Sequence, residues 1–262
     1  MKKSILTAKD LSINFGGLKA LDEFSLEIKP GELVGLIGPN GAGKTTVFNV
    51  LTGVYQASSG SYTFNEQMIK NVSTHELVQL GLARTFQNIR LFKYLTVIEN
   101  VMIAHNFLQK YGFIEGALRF PGYWKEEKEL FDKSMDMLKI FQLDEYYNIQ
   151  AGNLSYGQQR KLEIARAMAT KPKVLLLDEP AAGMNPSETA ELMDTIRLIR
   201  DKFGVAILLI EHDMSLVLGI CERLLVLNHG KTIAQGKPSG VINEPEVVKA
   251  YLGVDEEEGS DE

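Results

Sequence analysis

At 262 residues, 45% hydrophobic and 24% charged, the chain is long enough for one large or two modest domains with a substantial core, and its composition is ordinary for a globular protein. No apolar run approaches the about 20 residues that cross a bilayer, and MKKSILTAKD at the start has two lysines without the apolar stretch of a secretory signal. The net charge of −6 resides in the tail: setting aside the six acids of DEEEGSDE at 255–262 leaves 28 acids against 28 bases, so the body is neutral and gives no reason to expect a nucleic-acid partner.

That tail reads as a solvated, disordered end. The single cysteine, Cys221, cannot form an internal disulfide, and its apolar helical surroundings read as packing. A cytosolic protein is the simplest expectation.

In chain order, residues 5–28 alternate polar and apolar positions (Leu11, Ile13, Phe15; then Phe24, Leu26, Ile28), with breaks at Gly16-Gly17 and Pro30-Gly31. This pattern predicts half-exposed antiparallel strands. Residues 33–37 (LVGLI) form instead a continuous apolar run, as do 174–177 (VLLL) and 205–210 (VAILLI), and such runs suit strands buried on both faces of a parallel sheet. After the first run comes GPNGAGKTT (38–46), and 46–51 read as a helix. Between roughly 88 and 170 the periodicity turns helical: Leu130, Met137, Leu138 and Phe141 recur at helical spacing, as do Leu162, Ala165 and Ala169. The expected organisation is a single unit over 1–254, with an α/β core from 1–87 and 171–254 and a helical subdomain at 88–170 inserted into it.

Strand, glycine loop and Lys-Thr in that order are how a chain holds a triphosphate. The loop backbone over Gly38, Pro39, Asn40, Gly41, Ala42 and Gly43 bends so that its N–H groups, which Pro39 lacks, face inward on phosphate oxygens; Lys44 adds a mobile positive charge, the Thr45 hydroxyl can ligate Mg²⁺, and Thr46 opens a helix whose positive end favours the same anion. The loop alone does not say what the nucleotide energises, because kinases, GTPases, motors and transporters all use it. The other buried strands also carry chemistry where they end. One runs into Asp178-Glu179-Pro180 and another into Glu211-His212-Asp213, so three loops converge on one edge of the sheet. Two adjacent carboxylates after an apolar strand are costly without a cation or polarised water. Asp178 would hold Mg²⁺, Glu179 would orient and deprotonate the attacking water, and Lys44 and His212 would neutralise the transferring phosphate.

At Leu154-Ser155-Tyr156-Gly157-Gln158-Gln159-Arg160 the chain resembles the signature motif of ABC-transporter ATPases. The resemblance covers nearly the whole chain and orders five motifs: the glycine loop, a glutamine loop at Gln87, the signature, Asp178-Glu179, and the switch His212. It implies a P-loop NTPase (RecA-like) core with a parallel sheet, an N-terminal antiparallel β subdomain and the inserted helical subdomain. It further implies that Gln87 serves both the Mg²⁺ and the water, and that Ser155, Gly157 and Gln158 at a capped helix N-terminus meet the γ-phosphate of an ATP held by another chain. With one copy of each motif, this chain needs a second ATPase subunit, either a copy of itself or a similar paralogue. Phe15 stands where the family stacks an aromatic on adenine; the other reading of it is a core strand residue.

Two departures from the common pattern stand out. Tyr156 replaces a glycine, and Ala181-Ala182-Gly183-Met184-Asn185 ends in asparagine rather than aspartate. Together with GGLKAL, RTFQNIRLF, LTVIENV, LDEPAAGMNP, LLIEHDM and AYLG, they make the chain look like the longer of the two paired ATPases of branched-chain amino-acid uptake systems. That likeness implies two integral-membrane permeases, an extracytoplasmic amino-acid-binding protein, and a peripheral place on the inner face of the membrane. It also assigns the aromatic stretch 105–129 (Phe107, Tyr111, Phe113, Phe120, Tyr123, Trp124) either to helical packing or to a partner-facing surface. An ATPase of lipopolysaccharide export shares much of this core, and a non-transport ABC ATPase is the remaining alternative.

Overall fold

The computed structural model describes residues 3–106 and 121–252. Strands β1 (Leu6–Phe15) and β2 (Leu18–Ile28) form an antiparallel hairpin across Gly16-Gly17, and β4 (Ser59–Phe64) and β5 (Gln67–Ile69) extend it to a four-stranded sheet in the order β2-β1-β4-β5. A second sheet of six strands has the order β10-β9-β3-β8-β7-β6. Its members are β3 (Leu33–Ile37), β6 (Leu82–Arg84), β7 (Val174–Asp178), β8 (Ala206–Ile210), β9 (Arg223–Asn228) and β10 (Lys231–Gly236). All neighbours in it pair parallel except β10, which returns antiparallel on β9.

The three apolar runs are the central strands β3, β8 and β7, buried at every position. Side chains alternate between two cores. Val34, Leu36, Leu176 and Leu208 face the hairpin sheet and helix α1 (Lys44–Leu51), which lies between the two sheets. Leu33, Ile37, Leu175, Leu177, Ile207 and Leu209 face the helices on the other side. Those are α3 (Val97–Asn106), α4 (Pro121–Ile140), α5 (Tyr156–Ala169), α6 (Pro186–Phe203) and α7 (Met214–Ile220). α2 (Thr74–Leu80) precedes β6, and α8 (Pro238–Val241) and α9 (Pro245–Leu252) close the described chain against β9 and β10.

Leu130, Met137, Leu138 and Phe141 of α4 and its end, and Leu162, Ala165 and Ala169 of α5, are buried as their spacing requires. The aromatic positions Phe107, Tyr111, Phe113 and Phe120 lie outside the described residues, and Tyr123 and Trp124 fall in the first turn of α4.

Candidate functional site

Because β3, β8, β7 and β6 are adjacent and parallel, whatever follows each of them lands on the same edge. β3 delivers the glycine loop, whose Gly38, Gly41 and Gly43 all have positive φ. A Cβ on Gly38 would lie 2.0 Å from the Leu227 carbonyl oxygen, so only glycine fits where the loop leaves the strand. α1 begins at Gly43 with no capping side chain, whereas Ser73, Ser155, Asn185 and Asp213 each cap their helices. Its first-turn amides are left for an anion. Lys44 lies buried and folded onto the loop, where Nζ donates to the carbonyls of Gly38 (2.7 Å) and Pro39 (2.9 Å). Burial lowers its pKa below the usual lysine value, against the opposing pull of the Glu179 and Asp178 carboxylates.

β7 ends in Asp178, which is buried, and the chain then turns through Glu179 at φ +48. A left-handed glutamate is strained, and the Glu179 N–H bond to the Ile210 carbonyl (2.9 Å) holds it there. The turn sends the two carboxylates different ways. Asp178 Oδ2 accepts from Arg84 Nη2 at 2.7 Å. Glu179 Oε2 accepts from Gln87 Nε2 at 2.7 Å, and its Oε1 lies 3.4 Å from His212 Nδ1. His212 is 54% exposed by side chain, so it stands at the open side of the site.

The three polar residues after β8 divide their work. Only His212 turns to the site. Glu211 is buried and accepts from the N–H groups of Ala181 (2.8 Å), His212 (3.1 Å) and Asp213 (3.4 Å), stitching the loop after Glu179 to the turn that carries His212; burial nonetheless pushes its carboxyl above the ordinary range. Asp213 caps α7 through the Ser215 and Leu216 amides.

Ser155 caps α5, with Gln158 closing a reciprocal capping box: Gln158 N–H donates to Ser155 Oγ (3.3 Å) and Ser155 N–H to Gln158 Oε1 (3.0 Å). Among the described residues no hydrogen bond joins this segment to the glycine loop of its own chain. Gly157 lies against the Glu188 carboxylate, which a Cβ would approach to 2.9 Å. The ring of Tyr156 lies beside Gly183, 3.5 Å from where a Cβ there would stand, so the departure from glycine brings the signature against the loop after β7. Asn185 caps α6 in a box with Glu188, a role its neutral amide fills as well as a carboxylate would. Phe15, at the end of β1, is 45% exposed and propped edge-on by Tyr55, centroids 5.1 Å apart; it is not a core residue.

The donors offered to a cation are hard oxygens: the hydroxyl of the exposed Thr45 in the first turn of α1, and the Asp178 carboxylate. Two hard oxygen donors suit an oxygen-preferring divalent cation that draws the rest of its shell from phosphate and water.

Sequence reasoning passed over Arg84 and Arg160. Arg160 is 0% exposed and donates to the carbonyls of Phe86 (2.8 Å) and Gln87 (2.8 Å) and to Glu163 Oε2 (2.8 Å), fastening the glutamine loop to the signature helix. Opposite charges three apart on the otherwise apolar face of a helix were the available signal.

Residues 21–182 match the ABC transporter family, and residues 231–257 match a family described as branched-chain amino acid ATP-binding cassette transporter. The chain is 46% identical to the high-affinity branched-chain amino acid transport ATP-binding protein LivG of Salmonella typhimurium, over 97% of this chain and 99% of that one. Its identity to the corresponding BraF protein of Pseudomonas aeruginosa is 44%, with the same coverage. Among solved structures it is similar to the ADP conformation of an ATP-binding cassette of an ABC transporter, with a TM-score of 0.83 at 33% identity, covering 96% of this chain and all (100%) of that chain. It is also similar to cbiO1 from Clostridium perfringens, part of an ABC transporter complex, with a TM-score of 0.81 at 28% identity, covering 95% and 94%.

Proposed function

This chain belongs to the ABC transporter family, and we propose that it is the ATP-binding and ATP-hydrolysing subunit of an importer of branched-chain amino acids. The observation that carries the reading is the convergence of the glycine loop, Asp178-Glu179, Gln87 and His212 at the ends of four adjacent parallel strands. The class of cargo rests on the relatives, since this subunit does not handle the amino acid itself.

Phosphates enter the loop at 38–46, where inward N–H groups and the uncapped end of α1 meet them. Lys44 exchanges the carbonyls of Gly38 and Pro39 for phosphate oxygens. Thr45, Asp178 and Gln87 are the residues that would hold Mg²⁺, which would supply neutralisation of charge on the phosphates. Glu179 takes the proton of the attacking water. Its Oε2 accepts from Gln87 and its Oε1 lies 3.4 Å from His212 Nδ1, and each carboxylate oxygen keeps a lone pair for the water. Phe15 offers its exposed ring to adenine. A second ATPase subunit, identical or similar, brings Ser155, Gly157 and Gln158 over the γ-phosphate, and closure of the pair is the power stroke.

Two permeases receive that stroke, with the chain peripheral on the inner face of the membrane and a binding protein delivering cargo from outside. No described helix is long and apolar enough to cross a bilayer. A cavity of about 340 Å³ between α2, α3 and α5, lined by Phe92, Ile103, Ala104 and Arg166, is a candidate seat for a cytoplasmic segment of a permease, with Phe92 and Ile103 exposed at it. The test is reconstitution in proteoliposomes with the two permeases and the binding protein of a branched-chain amino-acid uptake system. ATP-driven accumulation of labelled leucine, abolished by Glu179→Gln, is expected; ATP hydrolysis with no leucine uptake, or uptake only of another cargo, overturns the assignment.

A further inference from the structure

We propose that Arg84 is a positioning residue of the cation site, fixing the Asp178 carboxylate to the helix that follows the glycine loop. The inference rests on the reading of Asp178 as a Mg²⁺ ligand. Arg84 closes β6, three residues before Gln87, and its guanidinium forks: Nη2 donates to Asp178 Oδ2 at 2.7 Å, and Nη1 to Asn49 Oδ1 on α1 at 2.7 Å, with Thr52 Oγ1 at 3.4 Å. Its planar face lies against Phe48 of α1 (5.3 Å to the ring centroid) and Phe86 of the glutamine loop (5.2 Å). One side chain thus touches the three segments that must keep register around a nucleotide.

Stability alone does not account for this pair. The side chains of Arg84 and Asp178 are 8% and 6% exposed, and at that burial the desolvation of two charges offsets most of their attraction. Arg84 Nε is buried without a hydrogen-bond partner among the described residues, a further cost that an apolar residue of similar volume would not carry. What the fork supplies is orientation. With Oδ2 committed to Arg84, Asp178 cannot rotate, and among the described residues its Oδ1 accepts no hydrogen bond, which leaves that oxygen for a cation. The Arg84 charge opposes a nearby cation while its geometry favours one. Geometry wins, because a carboxylate held in place needs no reordering when the ion arrives, and such supporting partners typically change metal affinity by about 10- to 100-fold.

Arg84→Lys separates the two effects, since lysine keeps the charge but cannot span Asn49 and Asp178 together. In the full chain carrying Glu179→Gln, so that nothing is hydrolysed, the affinity for a ribose-labelled fluorescent ATP is measured in EDTA and in saturating Mg²⁺; the ratio of the two affinities reports the metal's contribution. Arg84→Lys is expected to lower that ratio about 10- to 100-fold while the EDTA affinity stays within about threefold. Asn49→Ala, which retains the ion pair and frees one arm, is expected to lower it several-fold, and it serves if the lysine variant does not fold. A parental ratio in Arg84→Lys or, where that variant does not fold, in Asn49→Ala, or equal losses with and without Mg²⁺, overturns the role of Arg84. Asp178→Asn tells the two readings apart: an unchanged ratio there removes Asp178 from the cation site and Arg84 with it, whereas a lowered ratio there beside a parental one in Arg84→Lys sinks Arg84 alone.

Discussion

Replacing Arg160 by methionine is expected to destabilise the fold by about 3–5 kcal/mol, the cost of removing one partner of a buried ion pair. The structure shows where the cost arises. Arg160 is completely buried, Glu163 is 2% exposed, and without the guanidinium that carboxylate keeps one hydrogen-bond donor, the Arg90 N–H at 3.1 Å, and the weaker pull of the Arg166 charge. The carbonyls of Phe86 and Gln87 lose their donors as well, about 1 kcal/mol each. The double variant Arg160→Met/Glu163→Leu removes the stranded charge and leaves only those carbonyls, so its deficit should shrink to about 1–3 kcal/mol. The assay is urea unfolding of the two single variants and the double, read as a double-mutant cycle, and a coupling of about 2 kcal/mol or more is expected. The Glu163 carboxyl is already held above its ordinary range by burial despite Arg160. A raised acid favours the folded state below its unfolded pKa and loses that contribution as pH rises through the folded one, so the penalty in Arg160→Met should ease as pH falls. Additive single effects, with coupling below about 0.5 kcal/mol, would refute the claim that the cost arises from stranding the Glu163 charge.

Two further outcomes are expected. His105 is buried and bonded to Ser134 (2.9 Å), and burial, helped by Lys171 and Lys133, lowers its pKa to about 4; between pH 6.5 and pH 4 the unfolded chain therefore takes up a proton that the folded chain declines. Stability should fall by about 2–3 kcal/mol across that window, and His105→Gln, which keeps a partner for Ser134, should flatten the dependence of the urea midpoint on pH. Cys221 is buried and its thiol is pushed up to about 12, first by burial and then by Glu211 and Glu222, so iodoacetamide at pH 8 should leave native protein unlabelled and label it fully in denaturing urea.

Much of this molecule is legible in the chain because each strand of the core repeats one simple condition. VLLL and VAILLI are apolar throughout because both faces of β7 and β8 are covered, and the polar residue that ends each run marks the sheet edge where ligands lie. What stayed hidden was direction. Nothing in Glu211-His212-Asp213 says that the glutamate turns inward to hold two loops while the histidine stands at the open side of the site, since that depends on the Ala181 amide of the loop after β7 lying within reach. Arg84 and Arg160 were hidden for a related reason: a charge within an apolar run is read as an edge or a surface, and its partners (Asp178, Asn49, the Phe86 and Gln87 carbonyls) are distant in sequence. Tyr156 and Asn185, departures from the family's usual residues, became intelligible once the ring was seen beside Gly183 and the amide over the first turn of α6.

The central claim is that the glycine loop of one chain is completed by Ser155 and Gly157 of another. Sedimentation of Glu179→Gln with ATP tests it most directly. Turnover should fall roughly 10²- to 10⁴-fold, as for loss of a general base, and nucleotide-bound dimers should accumulate. Adding Ser155→Arg should return the protein to monomers that still bind ATP through their own loop. Sedimentation as an ATP-bound monomer, or dimers indifferent to Ser155→Arg, would contradict the account.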